Sequence, residues 1–211
     1  MSVVQIRGVS KAYRGRTLFS EVHLDIAEGQ IHAIEGPNGS GKSVLFKLMC
    51  GFVKPDEGTV SIAPRFLDKG GSFPDHFGVI IDRPGYVGGL TGVQNLMRLA
   101  EIRGRIGRAD VEESMRRVGL DPSARQKVRN YSLGMKQKLA LVQAFMEGQH
   151  VLVLDEPFNA LDAESVELVR SLLIQFREEG RTVVFTSHNS ADVKFLADNR
   201  FSINAQRVVA G

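Results

Sequence analysis

The sequence predicts an α/β fold, a largely parallel sheet with a helical segment inserted into it. Three observations lead there. Val151–Leu154 and residues 181–186 fit short strands buried on both faces, and a long amphipathic helical pattern lies between them. Strands that alternate with helices form right-handed βαβ units, which pair in parallel. Residues 91–147 carry helix-start signals rather than strand alternation.

The elements follow in order. Val22, Leu24 and Ile26 alternate with polar residues, as on a half-buried strand, and Glu28-Gly29 is a turn. Ile31–Glu35 is a second strand. A glycine-rich stretch, 36–41, leads into a helix over 42–50 with Leu45, Leu48 and Met49 on one face and Gly51 as its stop. Residues 54–58 are turn chemistry, 59–62 a strand, and 63–76, broken by Gly and Pro, a loop; 79–81 is a short strand. Thr91 with Gln94 forms a capping box, and Asp110 with Glu113 repeats the signature, so this segment is mainly helical. Asp162 caps a helix whose apolar stripe is Val166, Val169, Leu172, Leu173 and Phe176. No repeat or linker interrupts the chain. The expected plan is one domain over 1–211, with a core of 1–90 and 148–211 and a helical subdomain over about 91–147.

Composition bounds the class. The chain has 211 residues, 43% apolar and 24% charged, which excludes a disordered tail, a collagen-like repeat and a disulfide scaffold. Its net charge of +3 is too small to imply a nucleic-acid or membrane partner by itself. The charge is unevenly spread, with eleven basic and five acidic residues over 98–138. Arg103, Arg105 and Arg108 in that stretch are expected on a solvated face or at a membrane partner. The single cysteine, Cys50, cannot form an internal disulfide, as expected of a reducing compartment. The longest apolar runs, 139–142 and Val151–Leu154, are four residues, against the ~20 a membrane span needs. A cytosolic globular protein is expected.

Gly36-Pro37-Asn38-Gly39-Ser40-Gly41-Lys42-Ser43 matches GxxxxGK[ST] between a strand and a helix, the context that a phosphate-binding loop requires. Its glycines let the backbone wrap a phosphate without Cβ clashes, and its N–H groups form an anion nest at a helix N-terminus. Lys42 is then placed to neutralise the β- and γ-phosphates of a bound nucleotide, and the Ser43 hydroxyl to bind Mg²⁺. Asp155-Glu156 lies at the end of a buried strand, where open α/β sheets bind ligands. Asp155 is the expected Mg²⁺ carboxylate and Glu156 the expected general base for the attacking water.

With these residues in place the sequence resembles the ATP-binding cassette (ABC) ATPases, and further motifs of that family follow in order. Ser132-Leu133-Gly134-Met135-Lys136-Gln137-Lys138 resembles the ABC signature; Ser132 and Gly134 match, whereas Leu133 and Met135 depart from it. Ser132 also opens a helical pattern, so its hydroxyl and the helix N-terminus can face a phosphate. Asn159-Ala160-Leu161-Asp162 resembles the D-loop through Asp162. His188 matches the switch histidine that senses the γ-phosphate, and Tyr13 falls where the family places an adenine-stacking aromatic. Where the family usually carries glutamine, this chain has Asp82, which can still approach Mg²⁺ or the attacking water; acids there look like those of exporter subunits.

The resemblance implies a P-loop NTPase core with an N-terminal antiparallel β subdomain and an inserted helical subdomain. It implies catalytic roles for Lys42, Glu156 and His188, nucleotide contacts from Tyr13, residues 36–43, Ser132, Gly134 and Asp162, and metal contacts from Ser43, Asp155 and Asp82. ATP and Mg²⁺ are the implied cofactors. Two subunits would pair head to tail, the phosphate loop of one facing Ser132 and Gly134 of the other. Three functions compete under the resemblance. The expected one is the ATPase subunit of a membrane transporter, peripheral on the inner face of the cell membrane and partnered by separate membrane-spanning subunits, with export favoured over import. A soluble ATPase on ribosomes or nucleic acid is the alternative; relatives of that kind carry coiled coils or paired cassettes, so no nucleic-acid partner is expected. An ATP-gated binding module with little turnover conflicts with intact Lys42, Glu156 and His188.

Overall fold

The computed structural model describes residues 1–13, 15–71, 73–82 and 85–211. The chain opens with two long antiparallel strands, β1 (Ser2–Tyr13) and β2 (Arg16–Ala27), which pair from Ser2↔Ala27 to Tyr13↔Arg16. Then come β3 (Ile31–Glu35), α1 (Lys42–Met49), β4 (Glu57–Ile62) and β5 (Phe77–Ile80). Three helices follow without an intervening strand: α2 (Gly92–Arg103), α3 (Arg108–Arg117) and α4 (Leu133–Phe145). The chain then alternates through β6 (Val151–Leu154), α5 (Ala163–Glu178), β7 (Thr182–Thr186) and α6 (Ser190–Leu196), and closes on the strands β8 (Asn199–Asn204) and β9 (Arg207–Ala210).

Among the described residues these strands form a three-stranded antiparallel sheet, β2-β1-β4, and a six-stranded sheet, β5-β6-β7-β3-β8-β9. Pairing in the larger sheet is parallel from β5 to β8, and only β9 runs antiparallel to its neighbour. Its central strands are covered on both faces, which is why they read as continuous apolar runs. Leu152 and Leu154 point into a core shared with the helices α2–α5, while Val151 and Val153 point into a second core shared with α1 and the antiparallel sheet. Val183 and Phe185 alternate with Val184 in the same way.

Local chemistry starts the helices. Thr91 caps α2 with the expected capping box. The start of α3 differs from the expectation: Gly107 is its N-cap, and Asp110 sits at the third helical position, where its carboxylate accepts from the Gly107 N–H at 2.8 Å. An acid reaching back from that position gives the same sequence signal as a cap, so the start was displaced. The loop over 63–76 contains a 3₁₀ turn, Pro64–Phe66, and a bridge between Leu67 and Pro74.

The basic stretch is not simply a solvated face. Arg103 donates to the Asp75 carbonyl at 2.7 Å, and Arg103 and Arg105 both pair with the Asp75 carboxylate. Arg108 pairs with Glu112 one turn on. The first two arginines therefore clasp the end of α2 to the loop that precedes β5. No described helix is long and apolar enough to cross a membrane.

Candidate nucleotide site

The site forms at the carboxyl ends of the parallel strands. β3 runs into the glycine-rich loop, which turns at Gly41 into α1. Gly41 has φ of +101°, and a Cβ there would lie 2.8 Å from the Phe19 ring, so both the backbone and the packing call for glycine. Lys42 is buried, and its ammonium donates to the carbonyl oxygens of Gly36 at 2.7 Å and Pro37 at 3.3 Å. It is thus folded along the loop it is expected to serve. Ser40 Oγ is buried inside the loop with no hydrogen-bond partner among the described residues. An unpaired buried hydroxyl beside a helix N-terminus and a lysine suits an anionic ligand.

The adjacent strand ends deliver the acids. Ser43 Oγ donates to Asp155 Oδ2 at 2.5 Å. Asp155 Oδ1 accepts from Thr186 Oγ1 at 2.7 Å, and the same hydroxyl accepts from the Glu156 N–H at 2.8 Å. Three elements, α1, β6 and β7, are joined through one carboxylate. Glu156 has φ of +52°, a left-handed conformation that costs a non-glycine residue energy and turns the chain sharply at the site. Burial pushes its carboxyl above the ordinary glutamate range, against the opposing pull of His188 and Lys42. His188 Nε2 lies 3.0 Å from Glu156 Oε1, in ion-pair contact but without hydrogen-bond alignment. The loop that carries His188 is anchored beneath: Ser187 Oγ donates to Asp192 at 2.8 Å, and the buried Asp192 pairs with Arg170.

A cavity of about 510 Å³ gathers these groups. Of the residues singled out from the sequence, Asn38, Gly39, Gly41, Lys42, Ser43, Asp82, Asp155, Glu156 and His188 line it. Pro37 and Ser40 line an adjoining cavity of about 350 Å³ that shares Gly39, and Gly36 contributes its carbonyl to Lys42. The remaining four stand apart from this cavity. Tyr13 ends β1, half exposed, with the Lys11 ammonium 5.4 Å from its ring centroid. Ser132 caps α4, accepting from the Met135 N–H at 3.1 Å, beside a largely exposed Leu133. Gly134 packs so closely on the next turn that a Cβ would sit 2.7 Å from the Ala160 carbonyl oxygen. Asp162 caps α5, and its bonds to Ser165 hold its carboxyl below the usual range.

Three residues to which the sequence assigned no role enter the site. Thr186 bridges the two acids; its signal was a polar residue ending a buried strand after the apolar run 183–185, which must find a partner. Gln137 donates to the carbonyls of Glu156 at 3.2 Å and Pro157 at 3.1 Å, which ties α4 to the turn that follows β6. Asn159, the first residue of the stretch that resembles the D-loop, lines the cavity. A serine hydroxyl against a carboxylate is a hard oxygen donor pair that fits Mg²⁺, an ion held through few protein ligands together with substrate phosphates.

Comparison with known proteins follows the same lines. A family profile described as "ABC transporter" matches residues 19–159. An uncharacterized ABC transporter ATP-binding protein of Bacillus subtilis (strain 168), YybJ, is 33% identical over 206 residues, which are 98% of this chain and 94% of that protein. The bacitracin transport ATP-binding protein BcrA of Enterococcus faecalis is 33% identical over 198 residues, 93% of this chain but 64% of the relative's length. Among solved structures, the dimeric post-hydrolysis state of the ATP-binding cassette MJ0796 bound to ADP and Pi superposes with a TM-score of 0.85 at 26% identity, covering 97% of this chain and 96% of that one.

Proposed function

Because the chain belongs to the ABC transporter family of ATP-binding proteins, we propose that it binds and hydrolyses ATP at the cavity between its phosphate loop and the Asp155-Glu156 turn, and so powers transport through separate membrane-spanning subunits. One observation carries the site reading: Lys42, Ser43, Asp155, Glu156 and His188, spread along the sequence, line one cavity, with Ser43 and Asp155 in direct contact. We assign the nucleotide-binding core to 1–90 and 148–211 and the helical subdomain to about 91–147, within one ABC ATPase domain.

The roles follow from position. The loop N–H groups and Lys42 hold the phosphates and stabilise the charge that develops on them. Lys42 leaves the Gly36 and Pro37 carbonyls for this purpose. Ser43 and Asp155 would hold Mg²⁺, with Asp82 on the same cavity wall, and the ion would supply positive charge against the phosphates. Glu156 accepts a proton from the attacking water, and His188 at 3.0 Å keeps its charged form available despite burial. Thr186 and Gln137 fix the backbone that aims Glu156.

Ser132, Gly134 and Asp162 lie outside the cavity of their own chain, and Leu133 beside them is largely exposed. This favours a head-to-tail pair in which the start of α4 from one cassette covers the phosphate loop of another. Tyr13 is assigned to the adenine. The relative named for bacitracin transport and the acid at position 82 support export over import, and the location is the cytoplasmic face of the cell membrane.

The test is phosphate release from Mg-ATP together with nucleotide binding. Lys42→Ala is expected to lose binding or turnover. Glu156→Gln is expected to retain binding, lose about 10²–10⁴-fold in rate, and form a dimer with Mg-ATP in light scattering. Wild-type turnover in Glu156→Gln overturns the assigned base. A binding-competent variant that stays monomeric at every salt concentration overturns the paired cassette. Capture of a stoichiometric multispan protein from detergent-solubilised membranes tests the transporter reading, and capture of ribosomal proteins instead refutes it.

A further inference from the structure

Asp82 lies two residues beyond the end of β5, beside Asp155 at the end of β6; the two strands align Ile80 with Leu154, and the Asp155 N–H donates to the Ile80 carbonyl at 2.7 Å. Its backbone is left-handed, with φ of +62°. Asp82 lines the cavity, and its carboxylate pairs with Lys47 Nζ at 2.6 Å. Lys47 sits on α1 four residues after Ser43, one helical turn along the same face. One face of α1 therefore meets both strand-end acids, with a hydroxyl on Asp155 and an ammonium on Asp82.

The charges explain why the second contact matters. Asp82, Asp155 and Glu156 all line a cavity whose ligand is itself polyanionic under the reading above. Lys42 and His188 are the basic side chains lining it. An uncompensated third carboxylate on the wall of the same cavity would repel the phosphates. We propose that Lys47 is a positioning residue of the nucleotide site: it fixes the Asp82 carboxylate and cancels its charge, so that the two side chains act as one neutral unit at the cavity rim. The pair is partly open to solvent, at 33% and 60% exposure, so it adds little to fold stability and its consequence is electrostatic.

The inference rests on the nucleotide reading, and the experiment separates the two. The full chain is titrated with trinitrophenyl-ATP at low salt, first in EDTA and then at increasing Mg²⁺. In EDTA, Lys47→Met is expected to bind about three- to tenfold more weakly than wild type, a loss that shrinks as salt is added. Its half-saturating Mg²⁺ concentration is expected to fall, because the freed carboxylate attracts the cation. Lys47→Arg keeps wild-type behaviour, and Lys47→Met/Asp82→Asn recovers wild-type affinity in EDTA. Lys47→Met that binds like wild type overturns the proposal, and so does a double variant as weak as Lys47→Met. A wild-type chain that binds no trinitrophenyl-ATP overturns the nucleotide site itself.

Discussion

Thr186 shows how a single hydroxyl sets the geometry of the proposed site. It is fully buried, donates to Asp155 and accepts from the backbone of Glu156. Thr186→Val keeps the shape and removes the partner of Asp155 Oδ1 and of the Glu156 N–H, so it is expected to destabilise the fold by about 1–3 kcal/mol and to slow phosphate release, read by urea unfolding and a phosphate assay. His32 is the other informative single residue. It lies in β3, buried, with Nε2 2.8 Å from the Ala27 carbonyl and Nδ1 without a hydrogen-bond partner among the described residues. Burial pulls its pKa below the usual 6.5. The unfolded chain therefore binds this proton more readily than the folded one, so the stability it contributes is present above about pH 6.5 and is lost as pH falls. The urea midpoint is expected to drop from pH 7.5 to 5.5, and to drop less in His32→Gln. Cys50 stays inert by the same physics, its thiol pushed up to about 12 by burial.

At the scale of the element, the caps were the most legible feature. Thr91, Ser132 and Asp162 each accept from the N–H three residues on, and each was visible as a polar residue just ahead of a helical pattern. Thr91→Ala should cost about 1 kcal/mol of stability, seen as a lower urea midpoint. Asp110 was misread as a cap because glycine, the true one, carries no side chain to announce it. The opening strand β1, the helix α6 and the hairpin β8–β9 were not individually foreseen. β1 carries charged residues and register shifts that break its alternation, and β8 and the edge strand β9 are only partly buried. Gly134 belongs to this scale as well, since it sets how closely α4 approaches the 159–162 turn. Gly134→Ala forces a backbone carbonyl to move and is expected to cost about 1–3 kcal/mol, again by urea unfolding.

For the whole molecule, the helical insertion and the sheet meet through the core around Leu152 and Leu154 and through the Asp75 clasp at the surface. Surface ion pairs add little to global stability, so Asp75→Asn should act locally: faster hydrogen exchange in α2 and little change in β6. Reversing Arg103 and Arg105 to Glu would set like charges against Asp75. A loss of membrane association in that variant would then report on the junction, and Arg108, paired with Glu112 on its own helix, is the cleaner probe of a membrane partner.

The sequence by itself determined the class of the sheet, the phosphate loop, the acidic strand end and the family, because each rests on short-range pattern: two- and 3.6-residue periods, and fixed residue types between a strand and a helix. Tertiary structure alone decided which side chains share a wall. Ser43 meets Asp155, Gln137 reaches the Glu156 carbonyl, Lys47 pairs with Asp82 and Arg103 with Asp75. These contacts join residues 28 to 112 positions apart, apart from Gln137 and Glu156 at 19. Parallel crossovers bring distant strand ends together, and no local period records that placement.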